Sequence, residues 1–245
     1  MDLSFRETMQ QNKATFVKDT VPSQDVLFVF EPCKWPLRGK RTSINWRVSH
    51  ECVAYEESAL FLETRAEDVA RGNDSPLIWL CEHASIYTVG TSGKPPVDCY
   101  DDIPVICTNR GGKITYHGPG QRMVYIVWPI KEWGWSLTSL MSVLVEWGQG
   151  ALNLLRINAF YNKEKIGLWT LTPLGPKKLV SFGLRVRKGV VFYGFCINVT
   201  VPLQPFQRIE PCGLRGSEIT SLKALEYKFG IKDVDRVLEK TFHYF

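Results

Sequence analysis

One stretch of twelve residues, Arg110–Gln121 (RGGKITYHGPGQ), constrains this chain more than any other. Apolar runs flank it, Pro104–Cys107 before and Met123–Pro129 after. Both are rich in β-branched and aromatic residues, which predicts strands buried on both faces. The link between them holds four glycines and a proline. Its backbone can therefore adopt conformations closed to other residues and approach a ligand closely. Arg110, Thr115, Tyr116, His117 and Gln121 add more polar tips than a hairpin turn needs, so the stretch reads as a long, rigid loop that carries function. It is not a phosphate loop, because no Gly-Lys-Ser/Thr closes it and Gly-x-Gly-x-x-Gly is absent.

The rest of the composition narrows the class. A chain of 245 residues suffices for one large domain or two small ones. With 44% hydrophobic and 22% charged residues and a mean hydropathy of -0.12, a soluble globular protein is expected. No apolar run reaches the length of a membrane span, and Met1–Arg6 lacks the basic-then-apolar pattern of a signal peptide. Seven cysteines are scattered without a Cys-x-x-Cys, several inside apolar runs. That pattern predicts free thiols in a reducing cytoplasm and neither a disulfide framework nor a metal site. The net charge of +5 suits an acidic protein partner. With no basic stripe, nucleic acid is not expected.

In chain order, the first 43 or so residues show no clear period, apart from a possible short strand at Val26–Phe30. A helix is expected from Ser49 as its cap, with Val53, Leu60 and Phe61 on one face, ending at Gly72–Pro76. Leu77–Leu80 and Ile86–Val89 read as strands around Glu82-His83. That pair could do acid–base chemistry, but with no nucleophile nearby it reads first as a structural hydrogen bond. Ser136 should cap an amphipathic helix running to Leu155, in which Gly148 and Gly150 imply close packing or a break. Strands follow at Gly167–Thr170 and through Lys178–Arg187, with a Lys188-Gly189 turn into Val190–Val199. Two short helices, Ser217–Phe229 and Asp233–Phe242, close the chain. The mixture lacks regular βαβ alternation, so the fold class is α+β, a mixed β-sheet flanked by helices.

Two residues suggest chemistry. Cys212 sits between Pro211 and Gly213, in a turn and not in an apolar strand. A thiol on a rigid loop is a candidate nucleophile, but with a pKa near ~8.5 it needs a cation or base from elsewhere in the fold. Lys178 is that candidate, because it opens an apolar strand, where a lysine needs a reason.

These residues also carry a resemblance. Arg110-Gly111-Gly112-x-x-Thr115-Tyr116-His117-Gly118-Pro119-Gly120-Gln121 resembles the signature of the octanoyl-[acyl carrier protein]:protein N-octanoyltransferases, the lipoyl(octanoyl) transferases of lipoate biosynthesis. Pro211-Cys212-Gly213 with Thr220-Ser221-Leu222 resembles their nucleophile segment, and Lys178 with Gly183, Arg185 and Val186 their lysine segment. Glu82-His83 with Tyr87, Thr88 and Gly90 resembles a further one. The likeness spans about residues 49–230. It implies a catalytic domain over 44–245, related to the biotin and lipoate protein ligases and preceded by an extension, 1–43, of unknown role. It implies a thioester on Cys212, loaded from octanoyl-acyl carrier protein and passed to a lysine of a lipoyl domain. The acceptors would be the 2-oxoacid dehydrogenase complexes and the glycine cleavage H protein. Lys178 would lower the thiol pKa and take the proton of the incoming amine. Arg110, Gly111, Gly112, Lys113, Ile114, Thr115, Tyr116 and His117 would line the acyl site, with Ser181, Phe182, Gly183, Gly194, Phe195 and Cys196. Tyr116 and His117 would stand near the reacting carbonyl. No cofactor is implied. This chain is bulkier than the family at Phe182 and at Gly194-Phe195-Cys196. An ATP-dependent ligase and a binding protein without catalysis are the rival readings.

Overall fold

The computed structural model describes residues 26–30, 43–94, 99–100 and 102–242, with the backbone alone at 26–30, 99–100 and Cys212. The helix expected from Ser49 does not form. Ile44–Val53 is a strand, β2, antiparallel to β1 (Val26–Phe30) and parallel to β3 (Leu77–His83). Ser49 is buried in that strand and accepts a hydrogen bond from Trp79 Nε1 at 2.9 Å. Ile44 and Trp46 are buried and Val48 packs on the same core, and this strand alternation outweighs the helical spacing of Val53 and Leu60. Helix α1 starts later, at Tyr55–Arg71, and stops at Gly72, whose φ of 75° ends it as read from the sequence.

β4 (Ile86–Val89), β5 (Cys99–Tyr100), β6 (Ile103–Cys107) and β7 (Ile114–His117) form a small sheet in the order β5-β6-β4-β7. The expected loop thus holds a strand, because Ile114-Thr115-Tyr116 can pair with β4. β6 is only half buried, with Pro104 and Cys107 exposed, although it lies between β5 and β4, so the expected strand buried on both faces is not what forms.

The large sheet is completed by β8 (Gln121–Trp128), β9 (Phe160–Asn162), β10 (Gly167–Thr172), β11 (Gly175–Arg187) and β12 (Val190–Asn198). Its order is β1-β2-β3-β8-β12-β11-β10-β9. Every residue of β8 and β12 is buried. Side chains alternate along β8: Val124, Ile126 and Trp128 face one core, Met123, Tyr125 and Val127 the other. A central strand covered on both sides is why the apolar run is continuous.

The first core is closed by α3 (Leu137–Leu154), which follows a single turn of helix, α2 (Ile130–Trp133), and by α4 (Ile231–Phe242). Ser136 caps α3, its Oγ accepting from Ser139 N at 3.0 Å. Gly148 lets α3 settle on Leu168, and the helix does not break. The second core is closed by α1 through Leu62, Ala66 and Val69.

The helix expected over Ser217–Phe229 does not form. Its backbone donors are spent across the sheet edge, Thr220 N on Lys178 O, Leu222 N on Asn198 O and Lys223 N on Val199 O, each at 2.9 Å. It belongs to a longer strap, residues 205–229, with short 3-10 turns, among them Pro211–Gly213 and Lys223–Leu225.

α4 is held to β8 by a buried ion pair. Arg122, 1% exposed, donates from Nε to Asp235 Oδ1 at 2.6 Å and from a second nitrogen to Oδ2. Removing one partner strands a buried charge, which costs about 3–5 kcal/mol. Asp235→Ala should lower the free energy of unfolding by about that much in urea titration, and Asp235→Asn by less.

Candidate active site

The polar residues of the Arg110–Gln121 stretch do not all point the same way. Arg110 is buried and holds the stretch closed. Its Nε and one NH2 hydrogen reach Thr88 Oγ1, at 3.1 and 2.7 Å, and the same nitrogen reaches Thr88 O and Lys113 O at 2.7 and 2.9 Å. Its other terminal nitrogen donates to Gly111 O at 3.0 Å. Gly90 backs this loop so closely that a Cβ there would meet Gly112 O at 2.4 Å.

His117 continues the network. Its Nδ1 lies 2.7 Å from Gln121 Oε1, and its Nε2 lies 3.2 Å from Thr88 Oγ1. Gln121 Nε2 donates to Asn198 Oδ1 at 2.8 Å, and Asn198 Nδ2 donates to Thr220 O at 2.9 Å. The amide of Gln121 is thus committed as donor to Asn198, so its oxygen accepts from His117 Nδ1–H. The bare Nε2 then accepts from the Thr88 hydroxyl, whose oxygen accepts from Arg110. Burial, the Arg110 charge and His83 all hold His117 well below the ordinary imidazole pKa, which keeps this neutral form.

His83, the other histidine singled out in the sequence, is structural. Its Nδ1 donates to Val53 O at 2.8 Å, so its Nε2 accepts from Tyr125 OH at 2.7 Å. Its neighbour Glu82 accepts the Gly120 backbone N–H at 2.6 Å.

A cavity opens between β7, β11 and β12. It is lined by Arg110, Thr115 and His117, by Ser181, Phe182 and Gly183, and by Gly194, Phe195 and Cys196. These residues, three sequence segments far apart, are thus brought together. Gly111, Gly112, Lys113 and Ile114 lie in the same loop but not in the cavity wall. Tyr116 is turned away. It alternates with Thr115 and His117 on β7, packs on Phe206, and its hydroxyl lies 2.9 Å from Ser85 Oγ. Tyr116 is thus not part of the cavity wall.

Four lining residues escaped the sequence reading: Tyr55, Met123, Tyr125 and Tyr193. Met123 and Tyr125 were legible as alternate positions of β8. Tyr193 has a φ of 67°, and no local signal announces that.

Lys178 lies on β11, three residues before Ser181, and is not itself part of the cavity wall. It is 3% exposed. The absence of a side chain at Gly167 makes room for its stem, since a Cβ there would meet Lys178 Cε at 2.4 Å. Lys178 bridges Ile219 on the strap. The same strap carries Cys212 in its Pro211–Gly213 turn. Lys113 closes over that turn from the other side, its Nζ 2.9 Å from where a Cβ on Gly213 would stand.

A family model, the lipoyl protein ligase A/B catalytic domain, matches residues 54–243. The chain belongs to that family. Within it, an octanoyltransferase of Anaplasma phagocytophilum is 34% identical over 202 residues, covering 82% of this chain and 97% of the relative. One from Zymomonas mobilis is 36% identical over 205 residues, covering 83% and 95%. The chain is accordingly an acyltransferase of lipoate biosynthesis. Solved structures share the fold. A lipoate-protein ligase A with ATP bound superposes with a TM-score of 0.56 at 16% identity, over 73% of this chain and 79% of that one. A bipartite lipoate protein ligase of Thermoplasma acidophilum gives 0.54 at 17%, over 74% and 77%. The lipoate-ligase-like fold expected from the signature is the fold observed.

The neutral histidines give this octanoyltransferase-like chain a pH signature. Burial lowers His83 to about 4, against about 6.5 when unfolded. Between those values the unfolded chain binds a proton that the folded chain refuses, and His117 acts in the same direction. Stability should therefore be flat above about pH 6.5 and fall as pH drops toward 4. Thermal unfolding across that range checks this, and His83→Gln should flatten the slope.

Proposed function

We propose that the chain moves an octanoyl or lipoyl group from acyl carrier protein to a lysine of a lipoyl domain, by way of a thioester on Cys212. The observation that carries this reading is the buried Lys178, joined backbone to backbone to the strap that holds Cys212. A buried ammonium beside a thiol favours the thiolate, and burial makes its own proton easier to release.

In the first step the Cys212 thiolate attacks the donor thioester carbonyl. A new C–S bond forms, the carrier's C–S bond breaks, and the leaving carrier thiolate takes its proton from the Lys178 ammonium, which is left neutral for the second step. Thioester exchange is close to balanced, so no external energy is needed. In the second step the acceptor amine attacks the acyl-enzyme. Lys178 receives the amine proton, Cys212 leaves as thiolate, and an amide remains, which runs downhill. Lipoyl domains of 2-oxoacid dehydrogenase complexes and the glycine cleavage H protein are the acceptors in this reading. The cavity walls of β11 and β12 hold the acyl chain, and the setting is the cytoplasm. The solved ligase has ATP bound, whereas the present reading needs no nucleotide. The role of residues 1–43 stays open, and most of them lie outside the described residues.

Single-turnover kinetics separate the two steps. Lys178→Arg keeps a positive charge near the thiol but cannot give up its proton. Loading of Cys212, read as one octanoyl mass, should survive in part, and transfer should fall at least tenfold further. Lys178→Ala should damage both. Equal loss of both steps in Lys178→Arg would remove the base role.

A further inference from the structure

Lys113 belongs to the glycine-rich loop, yet it is not in the cavity wall. Its backbone is pinned, because its carbonyl accepts from the Arg110 guanidinium at 2.9 Å and from Gly90 N at 3.3 Å. From that anchor the side chain crosses to the Pro211–Gly213 turn and lies along Gly213. Its Nζ, Cδ and Cε stand 2.9, 3.6 and 3.7 Å from where a Cβ would be. Gly213 has a φ of 76° and no side chain, so nothing of its own holds the ammonium off. With ordinary bond lengths, that ammonium is within about 8 Å of the Cys212 Cα. No carboxylate among the described residues pairs with Lys113.

The turn packs on β7, which brings Tyr116 and the neutral His117. The strap itself brings Arg208, Glu210, Arg215 and Glu218, and Glu218 is paired with Lys165 at 2.6 Å. β11 brings Lys178 and Lys177, and Lys177 donates to Ser217 O. Glu210 lies two residues before Cys212, and a carboxylate there opposes a thiolate. A cation laid on the same turn offsets it.

The order of proton transfers asks for such a cation. Lys178 gives its proton to the departing carrier thiolate, so it is neutral while Cys212 carries the acyl group. Cys212 must then leave as thiolate in the second step. A residue that moves the proton is not at the same time a constant charge.

We propose that Lys113 is a positioning residue for the nucleophile, a standing cation over the Pro211–Gly213 turn that holds Cys212 as thiolate through both steps. Lys178 moves the proton, and Lys113 supplies the constant charge. This rests on the acyl-transfer reading for the choice of nucleophile and for the neutral Lys178.

The test reads the thiol itself and needs no turnover. The full chain is alkylated with iodoacetamide from about pH 5 to about pH 10, and the Cys212 peptide is quantified by mass spectrometry. In Lys113→Met the midpoint of the profile should move up by roughly half a unit. Alkylation then slows about threefold below the midpoint and is unchanged above it. Lys113→Arg should keep the wild-type profile, since it keeps the charge. The gap between wild type and Lys113→Met should shrink at about 1 M salt, where charges are screened beyond roughly 3 Å. A thermal melt reports the fold of each variant independently. An unmoved midpoint in Lys113→Met, a loss equal at every pH, or a Lys113→Arg profile like that of Lys113→Met would overturn the proposal. Octanoyl loading from the acyl-carrier thioester is measured in parallel. A shifted midpoint in a protein whose wild type never loads would sink the acyl-enzyme reading and leave the charge effect of Lys113 standing.

Discussion

The site depends on one directional chain of hydrogen bonds. Arg110 donates to Thr88, Thr88 to His117, His117 to Gln121, Gln121 to Asn198, and Asn198 to the carbonyl of Thr220. Every donor points the same way, so each bond polarises the next. The chain begins in the glycine-rich loop, crosses β4, β7, β8 and β12, and ends on the strap that Lys178 also holds. It ties the wall of the cavity to the backbone that carries Cys212. A buried network of this kind is stable only when complete, because each orphaned member would cost a desolvation penalty. That requirement explains why the stretch holds Arg110, His117 and Gln121 although all three are buried.

The glycines around the network serve contact more than flexibility. Gly90 lies against Gly112, Gly167 against Lys178, and Gly194 against Val124 O, where a Cβ would stand only 2.1 Å away. Each marks a place where a strand must approach a neighbour more closely than any side chain permits.

Much of this was legible in the residues. The continuous apolar run of β8, the capped helix α3, the Gly72 stop and the Lys188-Gly189 turn were all read from local pattern, and each forms. What escaped was decided by tertiary partners. Ser49 looks like a helix cap, yet its neighbours pair with β3. Ser217–Phe229 reads as a short helix, yet its donors at Thr220, Leu222 and Lys223 serve the backbone at Lys178, Asn198 and Val199. Tyr116 belongs to the signature, yet strand alternation turns it into the small core with Phe206. Tyr55 and Tyr193 reach the cavity only because α1 crosses the sheet above β12, a fact no window of sequence contains.

The same fold serves ligases that bind ATP, so the fold alone does not decide how the acyl group is activated. In the present account the activation is already in the donor thioester and is preserved on Cys212. The most direct measurement is a chase. The octanoyl-loaded enzyme is isolated, freed of donor, and mixed with a lipoyl domain in the absence of nucleotide, and both masses are followed. The account predicts that the octanoyl mass leaves Cys212 and appears on the lipoyl-domain lysine in equal amount. An acyl group that stays on the enzyme, or moves only when ATP is added, would contradict it.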